Sequence, residues 1–261
     1  MGAIDRIGVK LDRAKDHQRD LEAEVRGYID KKPYAVQTKR DPNTRRLIYF
    51  VACAREVPPK ISAIAGDVLQ NLRSTLDHLA FELFKRGGGT GDGKHVYFPI
   101  FDDAAAYQSG STGKTAGMKQ DAINAIHATK PYKGGNDLLW KLHRLNIVDK
   151  HRSLFTVGAA FQSLDITASM VQSMKAAAPE MATFPWPSLF LRPADRMFPL
   201  KVGDELFIDL PDAEVNPGMQ FRFDVALGEP GIVEGDAIIE ALQQMIDEVG
   251  NTVRQFEPLL S

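Results

Sequence analysis

The 261-residue chain reads as an α+β protein: a helical bundle of four long helices with an N-terminal β-hairpin and a late antiparallel β-rich insertion. Three observations predict this. Apolar residues recur at helical spacing over 1–30, 58–86, 114–152 and 233–258. Runs of β-branched and aromatic residues, bounded by turn formers, occupy 34–55 and much of 153–228. Helices and strands do not alternate as βαβ units, which excludes a doubly wound parallel sheet. The whole of 1–261 is read as one domain.

The first helix places Ile4, Ile7, Leu11, Ala14, Leu21, Val25 and Tyr28 on heptad positions, with Gln18 as the one polar member. Such a stripe packs on its own bundle or on a second copy, and the first arrangement is the expected one. Pro33 stops the helix. Strands follow over Tyr34–Thr38 and Arg45–Ala54, joined by a turn at Asp41-Pro42-Asn43. Cys53, at the end of the second strand, is expected to be a buried small hydrophobe.

Pro58-Pro59 opens a second helix that runs to about Lys85, and the Gly-rich stretch 87–93 ends it. Its apolar face carries Ile61, Ala65, Val68, Leu72, Leu76, Leu79 and Leu83. A weak helix near Ala104, a helix over about 116–129 and one over about 137–152, capped by Asn136, come next. Strands are expected at Phe155–Phe161, Asp165–Val171, Glu205–Leu210 and Met219–Leu227, with an Ala- and Pro-rich loop over 176–187. A last helix is expected over about Val233–Phe256.

Composition narrows the function. Hydrophobic residues make up 44% and charged residues 25%, as in ordinary folded domains. Lys+Arg total 32 against 34 Asp+Glu, so the net charge of -2 argues against binding nucleic acid through bulk charge and leaves only a local basic patch for it. The single Cys53 excludes an internal disulfide and a cysteine zinc site. The first residues form an amphipathic pattern and not a signal peptide, and no apolar run could span a membrane, which points to a cytoplasmic protein.

No cofactor is expected. The loops Gly88–Lys94 and Gly113–Thr115 imitate a phosphate-binding loop, but His95 and Gln108 stand where a hydroxyl residue and a glycine belong. No Gly-x-Ser-x-Gly elbow is present. Phe184, Pro185-Trp186-Pro187 and Phe190 read as packing residues.

The second helix holds the densest polar cluster. At about 100° per residue, Asn71, Thr75, His78 and Glu82 lie along one flank of its apolar stripe. Arg73 and Asp77 lie along the other, four residues apart, where an ion pair is natural. The helix over 137–152 repeats the composition with Asn146, Asp149, Lys150 and His151, and with His143 two turns back. A bundle can bring His78 and His151 together. With Asp77, Asp149 and His143 they supply the ligand types of a metal site on facing helices, although no HExxH signature is present, and no metal is assigned. Lys141, Arg144, Lys150 and Arg152 form a basic strip beside the cluster.

The runs Gly66–Ala80 and Leu145–Arg152 resemble a family of bacterial proteins with no assigned activity. The segment Arg73-Ser74-Thr75-Leu76-Asp77-His78 also resembles the Arg-x4-His motif of the HEPN superfamily of helical-bundle ribonucleases. That resemblance implies metal-independent RNA cleavage in the cleft of a homodimer, with RNA and a second copy as partners. It implies that His78 moves the proton at the ribose 2′-OH while Arg73 stabilises charge on the phosphate, with Asp77 and Asn71 beside them. Two departures stand out: Ser74 follows the arginine where those enzymes often carry Asn, Asp or His, and the late β block has no counterpart in a minimal bundle.

Three functions follow as expectations: a HEPN-like ribonuclease, a metal- or small-ligand-binding bundle, and a non-catalytic interaction protein whose polar cluster is structural.

Overall fold

The first apolar stripe folds as α1 (Ala3–Ile29). Ile7, Ala14 and Leu21 on it are fully buried, and so are Gln18, Val25 and Tyr28 within a few per cent. The stripe therefore packs within the chain, as expected, leaving Ile4 exposed at its start. The computed structural model describes residues 2–160, 164–165, 190–191, 198–216, 219 and 221–260. Among these residues it is α+β, with six helices and two small antiparallel sheets besides a minimal two-stranded pairing. The chain, read from sequence as one domain, divides into two compact units.

Unit 1 comprises Met1–Glu24, Pro59–Phe155 and Glu229–Ser261. Its centre is α2 (Pro59–Arg86), which starts at the proline and stops where the glycines begin. α2 packs on α5 (Asp137–His151) and α6 (Ile238–Leu260), and α5 packs on α6. Leu69, Leu72, Leu76, Leu79, Leu139 and Leu142 are fully buried there. Phe98 and Phe256 meet edge to face with centroids 6.4 Å apart. Arg6 on α1 grips the buried Glu82 of α2 with two 2.9 Å hydrogen bonds. Asn136 caps α5, its side chain accepting from the Leu139 N–H at 3.1 Å, and its amide donates to Glu248 on α6 at 2.6 Å. Two ion pairs lie where the chain leaves and re-enters this unit. Lys60 meets Glu24 at 2.7 Å, and Arg152 meets the buried Glu229 at 2.6 Å, where Glu229 also accepts from the Phe155 N–H.

Unit 2 comprises Val25–Pro58 and Thr156–Gly228. β1 (Tyr34–Arg40) and β2 (Arg46–Ala54) form the expected hairpin, and β6 (Glu205–Pro211) pairs with β2 to give the order β1-β2-β6. The Asp41 side chain accepts from the Asn43 and Thr44 N–H groups and shapes the turn. β3 (Thr156–Ala160) pairs antiparallel with β7 (Phe223–Glu229), from Thr156↔Leu227 to Ala160↔Phe223. β4 (Leu164–Asp165) pairs with β5 (Phe190–Leu191). The buried Tyr28 and Tyr34 hydroxyls lie 2.9 Å apart, and Tyr28 donates to the Arg55 carbonyl. Gly158 admits this pair, because a Cβ there would collide with the Tyr34 hydroxyl.

Several expectations need correction. Besides the helices expected to form the bundle, the described residues hold two shorter ones, α3 (Ala104–Lys114) and α4 (Gln120–Ala128). α3 is a full helix, capped by Asp103 accepting from Ala106 N–H, where only a weak one was expected. Gly117, at φ 84°, turns the chain between the two helices, so α4 starts at Gln120. Val233–Ala237 is a strand, β8, and not the start of the last helix. Gly235 in it has φ 76°, a backbone that an α-helix cannot contain. The helix instead continues to Leu260, with Pro258 in its last turn.

The β7 strand begins at Phe223, not Met219. Phe161, the remainder of the 165–171 strand and the 176–187 loop lie outside the described residues. Cys53 is exposed, not buried. The register slips between Ala35 and Val36, so that Cys53 faces Ala35 while Val51 faces Val36. That bulge inserts one residue into β2 and turns Cys53 away from the face that buries Val51.

Candidate functional site

α2 is apolar along one face, and Arg73 sits at the edge of that face among leucines. Its side chain is only 8% exposed. Such a cation needs partners, and it has two. One guanidinium nitrogen, Nη2, donates to Asp77 Oδ1 at 2.6 Å and to the Phe98 carbonyl at 2.8 Å. Asp77 Oδ1 also accepts from the Phe98 N–H at 3.1 Å. The pair thus clasps both backbone groups of one residue in the segment between α2 and α3. Burial lowers the Arg73 guanidinium and raises the Asp77 carboxyl, and each charge partly restores the other.

α5 supplies the facing polar groups. Asn146 is buried, and its Oδ1 has no hydrogen-bond partner. His143 is half-buried with Nδ1 likewise unpartnered, and Nη1 of Arg73 is the third such atom in this seam. Asp149 packs against Gly66, where a Cβ would strike its carboxylate. Desolvation, and then the nearby charge of Asp67, push the Asp149 carboxyl above its ordinary range.

His143 is driven the other way. Burial first, then the charges of Arg73 and Arg144, lower it from 6.5 to about 4, with Lys150 acting in the same sense and Asp102 against it. The folded chain therefore holds a neutral imidazole at pH 7. The unfolded chain takes up a proton near pH 6.5 and the folded chain only near pH 4, so stability from this group is complete above pH 6.5. It is lost as pH falls from about 6.5 to about 4. The loss should reach about 3 kcal/mol. Asp77 and Asp149, both raised, act in the opposite sense at the acid end of that window. The difference between wild type and His143→Gln in urea denaturation at pH 7 and pH 4.5 isolates the histidine. An equal pH dependence in the two proteins would remove His143 from this account.

The remaining sequence-predicted residues lie elsewhere. His78 is exposed. It stands five positions from Arg73, about 140° around the helix axis, so the burial of Arg73 turns His78 toward solvent. Asn71 donates to the Asp67 carbonyl at 2.8 Å, and Thr75 donates to the Asn71 carbonyl, so both are satisfied along α2 itself. Lys150 and His151 are exposed at the end of α5. Among the described residues no group of three or more His, Cys, Asp or Glu side chains is placed to hold a metal ion.

The basic strip is largely neutralised: Lys141 pairs with Asp236, Arg144 with Asp102 and Arg152 with Glu229. These acidic partners come from distant segments, and nothing in the local spacing announces them. The sequence reading also missed Tyr107, whose buried hydroxyl meets His127 Nδ1 at 2.8 Å inside a cluster with Phe101 and Tyr132. Gly87, Gly88 and Gly89 at the end of α2 bond back to the Leu83, Phe84 and Lys85 carbonyls, a helix stop and not a phosphate cradle.

No helix among the described residues is long and apolar enough to cross a membrane. Comparison of the chain with protein-family models, with curated proteins and with solved structures finds no match in any of the three.

Proposed function

We propose that the chain is a non-catalytic interaction protein and that its Arg73–Asp77 cluster is architectural. The observation that carries this reading is the burial of Arg73 against Asp77 and the Phe98 carbonyl. A guanidinium so placed cannot also meet a phosphate that His78 reaches from solvent, because the two side chains leave the helix in different directions. The neutralised basic strip supports the same reading, since binding an RNA backbone needs unpaired Lys and Arg.

The rival is the HEPN-like ribonuclease with His78 as proton carrier. His78→Ala and wild type, both checked for folding by circular dichroism, are incubated with single-stranded RNA with and without EDTA. No cleavage by either, and a stability change within about 0.5 kcal/mol for His78→Ala, is the expected result. Cleavage that resists EDTA and disappears in the folded variant would establish the enzyme and end the architectural reading.

A further inference from the structure

We infer that the groove between α1 and α6 is the face through which two copies of this chain associate, an inference that names a partner for the interaction-protein reading. The two helices run antiparallel: Gln18 donates to the Ile239 carbonyl at 3.0 Å, while further along a Cβ at Gly250 would stand 3.8 Å from Leu11. Between them lies a groove of about 260 Å³. Glycine makes the space. Gly8 on α1 and Gly250 on α6 both line it, and a Cβ on Gly8 would meet nothing within 4 Å. Ile4, 39% exposed, supplies apolar surface at one end.

The charges on its rim decide what fits. Lys15 and Asp247 flank one end, and Arg254 and Glu257 flank the other. Each end therefore carries one cation and one anion. The hydrogen bonds and ion pairs of Lys15, Arg254 and Asp247 within the chain are to near neighbours on their own helix, Asp12, Asn251 and Gln243. A second copy related by a two-fold axis through the glycines brings the opposite ends together. Lys15 then meets Glu257 of the other copy, and Asp247 meets its Arg254. A two-fold contact must be self-complementary, and this rim is. A strongly basic or acidic partner would match only half of it.

Analytical ultracentrifugation over a micromolar concentration series tests the assignment. Wild type is expected to sediment as a dimer. Gly8→Leu should be monomeric and at least as stable as wild type diluted to its monomer, because leucine favours the helix and the space is empty. Lys15→Glu should weaken the dimer at least about tenfold, since each substitution counts twice across a two-fold axis. Lys15→Glu with Glu257→Lys should restore it. A wild type that stays monomeric throughout, or a dimer that both Gly8→Leu and Lys15→Glu leave intact, would overturn the inference. A dimer that responds as described yet cleaves RNA through His78 keeps this surface and overturns only the non-catalytic reading.

Discussion

Replacing Arg73 with alanine is expected to lower stability by about 3–5 kcal/mol at pH 7, measured by urea denaturation. The loss comes from what remains. Asp77 would keep the Phe98 N–H but lose its counter-charge, and the Phe98 carbonyl would lose its donor. Burial already raises the Asp77 carboxyl, and without the guanidinium it rises further. The sign follows: a raised carboxyl takes up its proton in the folded state first, so the deficit of the variant should shrink toward pH 4. Arg73→Met with Asp77→Leu should recover part of the loss, because apolar side chains often replace a buried pair at little cost. An Arg73→Ala protein as stable as wild type would show that the clasp is not structural, and with it the proposed function would fail.

Phe256→Ala is expected to cost about 3–5 kcal/mol, read in the same denaturation experiment. Phe256 is fully buried on α6 and meets Phe98, the residue that Arg73 and Asp77 hold. The cavity would open where α6 packs on α2, and leucines on a rigid helix cannot collapse into it. Phe256→Leu should lose less, in proportion to the smaller volume removed. The Phe256 and Arg73 substitutions share Phe98 as a neighbour, so their effects should not add. A double variant whose loss equals the sum of the two would separate the clasp from the core.

Much of this is legible in the sequence. Pro59, the apolar face of α2 and the glycines after Arg86 set that helix almost to the residue. The i,i+4 spacing of Arg73 and Asp77 anticipated their ion pair, and Asn136 anticipated the cap of α5. What escaped depends on residues far apart in the chain. The clasp on Phe98 joins positions 21 and 25 residues apart, and Arg152 finds its acid 77 residues away. The exposure of Cys53 follows from a bulge, which breaks the alternation that a strand reading assumes. β8 is read as helix from sequence because five residues are too few for periodicity to separate strand from helix.

The two units also differ in when they can be finished during synthesis. Every residue of unit 2 precedes residue 229 in the chain, whereas unit 1 at that point still lacks β8 and α6. α2 and α5 are made early, yet the helix that both pack against comes last. Between residue 155 and residue 229 a ribosome adds roughly 70 residues, about 4–15 s at ordinary rates. During that interval the leucine face of α2 has no α6 to cover it. The segments that close unit 1 are thus made after all of unit 2, although its first helices are made before most of unit 2.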